Sequence, residues 1–277
     1  MTSLLPSPLS DKAQASPVAR WVWALPVLIF VLTTPLWMQW TEPGLFLAIN
    51  QWSLPVPAPF WTGLSILGNG WGILAVTAPL LVFAPRYQWA WLCAAPFAIL
   101  FARSGKFLIE SPRPAAVVDH SQMRVVGELL HSVSMPSGHT LTAFAVAGGI
   151  YFAIPLVRRR RYAWLWLLAA GTGLSRMAVG AHWPGDVAVG IALGVLAGLL
   201  GHQLWLRMAP RHCAPRSWGL RLVACLVGLA VYHLLTEELD FAENQPAQYV
   251  LAAVATLSLA AFIWQNIQAK SASSRHR

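Results

Sequence analysis

The chain has 277 residues, 57% of them hydrophobic and only 10% charged, with a formal net charge of +9. Soluble domains carry about 25% charged residues, so this composition excludes an ordinary soluble domain and indicates a membrane protein. The basic excess falls mostly in short loops between apolar runs, which reads as a membrane-orientation signal and not as a nucleic-acid footprint.

Residues 1–20 are polar with Pro and Ser, and are expected to form a disordered cytoplasmic N-terminus. The apolar run 21–40 is too long for a secretory h-region and lacks a clear small-residue cleavage site, so it predicts an uncleaved first span. Residues 41–69 are rich in Pro and Gly. Their apolar piece at 44–49 cannot cross about 30 Å of hydrocarbon and predicts a partly interfacial connection. Further spans are predicted near 70–84, 88–107, 139–157, 162–179, 186–206, 218–235 and 247–265, with a short tail at 266–277. The connection 108–138 is the longest polar one between spans, and loops of that length tend to be functional. Fifteen Trp residues fit aromatic belts at two interfaces. Cys93, Cys213 and Cys225 give neither a disulfide framework nor a zinc spacing and are read as packing residues. Gly190, Gly194 and Gly198 predict close helix packing.

Charge sets the orientation. With the N-terminus inside, 14 of the 19 Lys and Arg residues fall on the inner side, including Arg158, Arg159, Arg160 and Arg161. Glu237, Glu238, Asp240 and Glu243 fall outside. The positive-inside rule then predicts eight spans with both termini cytoplasmic. Arg103, Lys106, Arg113, Arg124 and Arg176 resist this bias by lying on or near the outer side. Binding an anion would account for cations there.

Three polar islands share that side. The first runs from Lys106 to Pro114. Arg113 offers a fork suited to phosphate oxygens and Lys106 a point charge, although Lys106 could equally be snorkelling to the headgroups. The second is Pro136-Ser137-Gly138-His139. Pro136 suits a first helical turn, Ser137 can cap or donate, and Gly138 lets an anion approach a helix N-terminus. An ordinary N-cap beside an incidental histidine is the alternative. The third runs from Ser175 to Asp186. Arg176 is an ionisable residue near the end of a span, which is costly unless it has a function. Asp186 can hold one nitrogen of His182 and leave the other free to attack. A capped helix start with a satisfied His–Asp pair is the alternative. The shared topology is what joins the three islands into one phosphate-handling site.

These motifs, Lys-x6-Arg-Pro, Pro-Ser-Gly-His and Ser-Arg-x5-His-x3-Asp, resemble the signatures of the type 2 phosphatidic acid phosphatase superfamily, which shares its site with vanadium haloperoxidases. The resemblance covers roughly residues 40–207 and every signature position is intact. It implies an all-α, polytopic transmembrane helical bundle: a six-helix phosphatase core over 21–207, with two additional spans over 208–265 that exceed it. It further implies a metal-free double displacement without cofactors. His182 attacks phosphorus, oriented by Asp186, and His139 protonates the leaving oxygen and later activates water. Lys106, Arg113, Ser137, Gly138 and Arg176 hold the phosphoryl oxygens. The few carboxylates form no cluster resembling a two-metal site, and phosphoryl transfer depends mainly on positioning and charge.

The expected function is therefore an integral-membrane lipid phosphatase of the plasma membrane, its site facing the exterior. The partners implied are the bilayer and a lipid phosphate: polyprenyl diphosphate, phosphatidic acid, phosphatidylglycerol phosphate or a lipid A type. A lipid-to-lipid phosphotransferase with the same site is the nearest alternative. A transporter is disfavoured because the middles of the spans are nearly free of charge. Glu110 and Ser111 only shape the loop. His120 and His131 are expected to be solvated, and His202 and His233 to serve packing or interface. Arg103 and Arg124 are candidates for contacting a headgroup.

Overall fold

In the computed structural model, which describes residues 17–39, 41–130, 132–214 and 216–274, the chain forms thirteen α-helices and no strand among the described residues. The expected N-terminal tail as far as residue 16, and His131, lie outside the described residues. Val18, just beyond, is buried against the bundle.

The first expected span is helical but broken. A 3₁₀ turn over Arg20–Ala24 leads into α1 (Leu25–Leu32) and α2 (Thr34–Met38). Pro35 has no N–H to give the Val31 carbonyl, and the Thr34 hydroxyl donates to it instead at 2.7 Å.

The Pro- and Gly-rich connection, expected to be partly interfacial, is helical in two short pieces. It forms α3 (Pro43–Trp52) and α4 (Ala58–Ile66). At ten and nine residues, each is about 15 Å long or less, too short to span alone. The expected short span 70–84 is helical but divided into α5 (Gly70–Thr77) and α6 (Leu80–Phe83). Asn69 caps α5 by accepting the Trp71 N–H at 2.9 Å.

The remaining helices lie where the later spans are expected, except that the one expected over 88–107 is divided at Cys93 and Ala94 and the last runs on through the expected tail to Ser274. They are α7 (Pro85–Leu92), α8 (Ala95–Leu108), α9 (Gly138–Ala153), α10 (Trp164–Ala178), α11 (Pro184–Arg207), α12 (Trp218–Thr236) and α13 (Gln245–Ser274). Among the described residues, four helical stretches are long and apolar enough to cross a membrane: Pro85–Leu108, Pro184–Arg207, Pro210–Thr236 and Ala242–Gln268.

The centre of the bundle is the pairing of α9 with α11. The small-residue stripe permits it. A Cβ on Gly190 would lie 2.9 Å from the Ser137 carbonyl oxygen, and one on Gly194 would lie 2.6 Å from that of Leu141. Backbones this close leave no room for a side chain. The two C-terminal helices instead pack on each other and on α5, through Leu220, Val223, Val227, Ala252 and Ala255 against Ala75 and Ala78. His202 is buried and stacks on Trp205 at 5.7 Å, and His233 stacks on Trp71 at 4.4 Å, so both serve packing.

Candidate active site

The third island is shaped by a helix end and a helix start. At the end of α10, the Gly180 N–H donates to the Met177 carbonyl at 3.1 Å and the Ala181 N–H to that of Arg176 at 2.9 Å. This is a Schellman termination. Gly180 sits at φ +81°, and a Cβ there would fall 2.5 Å from the Arg124 carbonyl oxygen, so only glycine fits. The reversal turns the chain back, and the His182 N–H also reaches the Arg176 carbonyl at 3.2 Å. Pro184 then opens α11, as the sequence predicts, with Asp186 in its first turn.

Asp186 is fully buried and His182 only 2% exposed. One carboxylate oxygen, Oδ2, accepts the Trp183 N–H at 2.9 Å, lies 3.1 Å from His182 Nδ1, and accepts a short hydrogen bond from the Ser134 hydroxyl. Burial, reinforced by the nearby cations Arg113, Arg176 and Lys106, pushes the His182 imidazole well below its ordinary pKa. The ring is therefore neutral near pH 7. Its single proton belongs on Nδ1, facing the carboxylate, which leaves the Nε2 lone pair available. Nε2 lies 3.4 Å from Arg113 Nη1.

The first island closes over this pair. Arg113 precedes a proline and is extended, as expected. It is buried, and its guanidinium donates to the Ala181 carbonyl at 2.8 Å and to that of Ser132 at 3.1 Å. Trp183 Nε1 donates to the Pro112 carbonyl at 2.8 Å, stitching the first island to the third. Lys106 is half-buried in the last turn of α8.

The second island joins both. Ser137 is the N-cap of α9, accepting from the Thr140 hydroxyl at 2.9 Å, and its own N–H donates to the Asp186 carbonyl at 3.1 Å. Pro136 lies before the cap and not inside the first turn, because Gly138 starts the helix. It packs so closely on α8 that a Cβ on Gly105 would meet it at 2.5 Å. A Cβ on Gly138 would meet nothing within 4 Å. The side-chain position of Gly138 is thus open at the start of α9, where the first N–H groups have no helical partner.

Arg176 is buried to 3% exposure in the last turn of α10. Its Nη1 donates to the Ser65 hydroxyl at 2.6 Å, and the Phe241 ring centroid lies 5.4 Å from its guanidinium carbon. Its Nε meets no acceptor among the described residues. A buried guanidinium with an unused donor suits an incoming oxyanion.

Several partners were not legible as site residues. Ser134 and Ser65 are single hydroxyls without a distinctive spacing. Asp240 belongs to the loop between the two C-terminal helices, yet its Oδ2 lies 2.9 Å from His139 Nε2 and accepts from Asn69 Nδ2 at 2.8 Å. Burial opposes the Asp240 charge, but His139, Asn69 and Arg176 outweigh it and hold the carboxyl well below the usual range. The signal for Asp240 was present only as topology: its acidic loop shares a side with the three islands. Arg124 is withdrawn as a headgroup candidate. Its guanidinium is spent on the Ser53 hydroxyl at 2.6 Å, the Val56 carbonyl at 2.9 Å and the Ala178 carbonyl at 3.3 Å, clamping the loop to α3 and α10.

The geometry offers a carboxylate-held neutral imidazole, a second histidine with its own carboxylate, the cations Arg113, Arg176 and Lys106 near His182, and a helix N-terminus. That arrangement can bind a phosphoryl group and move it.

A family profile described as PAP2 superfamily matches residues 88–209. The decaprenylphosphoryl-5-phosphoribose phosphatase of Mycobacterium tuberculosis is 34% identical over 146 residues, covering 50% of this chain and 75% of that protein. A lipid A 1-phosphatase from Rhizobium johnstonii is 32% identical over 127 residues, 45% of this chain and 50% of that protein. The crystal structure of Aquifex aeolicus LpxE is similar with a TM-score of 0.51 and 28% identity, over 58% of this chain and 93% of that one. By its matched core, its all-helical fold and its relatives, the chain belongs to the PAP2 superfamily.

Proposed function

We propose that this protein is an integral-membrane lipid phosphatase that releases phosphate from a phosphomonoester or diphosphate of a membrane lipid through a phosphohistidine on His182. The observation that carries the reading is the His182 environment: Nδ1 is 3.1 Å from Asp186 while Nε2 is turned toward the Arg113 guanidinium. A nucleophile needs its lone pair directed at the place where the electrophile is held, and anion-binding cations mark that place.

In the first step the Nε2 lone pair bonds to phosphorus and the bond to the lipid oxygen breaks. His139 gives that oxygen a proton. In the second step water attacks the phosphohistidine, His139 takes its proton, and inorganic phosphate leaves. Lys106, Arg113, Arg176, Ser137 and the Gly138 N–H hold the phosphoryl oxygens through both steps. These groups supply the positive charge that phosphoryl transfer requires, and on this basis we propose that the reaction needs no metal.

The site faces the exterior in this reading. Arg158, Arg159, Arg160 and Arg161 follow the C-terminus of α9, whereas the site lies at its N-terminus. The positive-inside rule puts the arginine end in the cytoplasm, together with both chain termini. A reporter fused after Arg161 is expected to read cytoplasmic, and an exterior signal there inverts the topology.

A substrate panel on purified protein tests the function. Phosphatidic acid, phosphatidylglycerol phosphate, a polyprenyl diphosphate and lipid A are incubated with EDTA present, and released phosphate and phosphorylated lipid are measured together. Free phosphate from at least one lipid is expected. Transfer to a second lipid without free phosphate makes the protein a phosphotransferase, and activity only on addition of Mg²⁺ removes the metal-free mechanism.

A further inference from the structure

Two helices lie beyond the matched family core, which ends at residue 209. The turn between them is built with more care than a connector requires. The Leu239 N–H donates to Gln248 Oε1 at 3.2 Å, and Gln248 Nε2 donates to the Glu237 carbonyl at 2.8 Å. Asn244 Nδ2 donates to the Leu239 carbonyl at 3.3 Å. Asp240 itself adopts φ +60°, a left-handed conformation uncommon outside Gly, Asn and Asp. Its neighbour Phe241 is buried beneath Arg176. These contacts fix the backbone around Asp240, whose carboxylate lies 2.9 Å from His139 Nε2.

We infer that Asp240 is a positioning residue for His139, so that the C-terminal helix pair completes the active site with a second carboxylate–imidazole pair. The inference rests on the phosphatase reading above. A carboxylate only accepts, so the hydrogen between Asp240 Oδ2 and His139 Nε2, 2.9 Å apart, resides on Nε2. Nδ1 is then the nitrogen left to exchange a proton with the substrate. As His182 Nε2 bonds to phosphorus and the P–O bond breaks, the Nδ1 proton passes to the leaving oxygen, which departs as the lipid alcohol or lipid monophosphate. When water oxygen attacks phosphorus and the P–N bond breaks, Nδ1 takes one proton from that water. Asp240 fixes the ring through both halves and balances the charge it carries when both nitrogens hold protons. Asn69 holds Asp240 in turn, donating at 2.8 Å.

The test uses the full chain with Asp240→Asn and Asp240→Gly, both compatible with a left-handed backbone. Two substrates are compared: the panel lipid that the wild type hydrolyses fastest, and p-nitrophenyl phosphate, whose leaving group departs without needing a proton. Phosphate release from the lipid is expected to fall about 10–100-fold, within the range a general acid supplies. The first-turnover burst of nitrophenolate should stay within about twofold and KM for the lipid should hold, since only leaving-group protonation depends on the ring's orientation. In a His139→Asn background, Asp240→Asn should cost almost nothing more, because it acts through that ring. Equal losses on both substrates, or additivity with His139→Asn, overturn the inference and leave Asp240 a structural residue. Faster turnover or a lower KM in either variant also overturns it, marking the carboxylate as a competitor of the phosphate. A wild type that hydrolyses no panel lipid overturns the phosphatase reading itself.

Discussion

Asp186 accepts from His182 and from the helix it starts with the same oxygen: Oδ2 is 3.1 Å from His182 Nδ1 and 2.9 Å from the Trp183 amide. The α11 cap and the imidazole anchor are one group. Asp186→Asn keeps the shape and removes the charge that selects the Nδ1–H tautomer. Turnover is expected to fall by about 10³–10⁴-fold, by analogy with the serine-protease triad. Steady-state kinetics checks this against a melting temperature expected to change little; comparable turnover in the variant separates the cap from the chemistry.

Ser134 donates to the same carboxylate and lies 3.3 Å from His182 Nδ1. Hydrogen bonds to charged groups contribute roughly 1.5–3 kcal/mol, so Ser134→Ala should lower turnover about 10–100-fold. Ser134→Thr, which keeps the hydroxyl, should retain more activity than Ala. The reverse order would show that packing, not donation, is what the serine supplies.

His182 is buried among cations and its pKa lies well below the ordinary 6.5. The sign follows. An unfolded chain takes up the proton near pH 6.5 and the folded chain resists it, so stability from this group is complete above that pH and is lost as pH falls. Nitrogen NMR of histidine-labelled protein, with His182→Gln to assign the resonance, should report a neutral Nδ1–H ring at pH 6. An imidazolium signal at that pH contradicts the assignment.

Gly180 carries the reversal that sets His182 against Arg176, with its φ at +81° and the Arg124 carbonyl 2.5 Å from the Cβ position. The left-handed backbone alone costs a non-glycine residue about 1–2 kcal/mol. Gly180→Ala should lose that much or more, since backbone must also move, and activity should fall with it. Thermal unfolding in detergent measures the first effect, and an unchanged melting temperature contradicts it.

Much of this was legible in the sequence because the phosphate-handling chemistry is local. Lys106, Arg113, Ser137, Gly138, Arg176, His182 and Asp186 lie within short motifs at helix ends, where proline, glycine and capping residues leave strong marks. Convergence of the three motifs followed from which side of the membrane each loop must face. The rest depends on tertiary packing. Asp240 is 101 residues from His139, and its acidic loop looked like a topology marker. Ser65 meets Arg176 only because α4 packs on α10, and α4 lay in a stretch expected only to be a partly interfacial connection. Arg124 was misread because a cation resisting the charge bias serves equally well to satisfy backbone carbonyls as to bind an anion.

A phosphohistidine on His182 hydrolyses in acid and survives in base, so an alkaline quench is what traps it. Protein mixed with a ³²P-labelled panel lipid, quenched in alkali within one turnover and digested, should carry label on the peptide containing His182, and none in His182→Gln. Label on that peptide accounts for the Asp186 and Arg113 geometry together. Phosphate release in the His182→Gln protein, or label on another residue, contradicts the account.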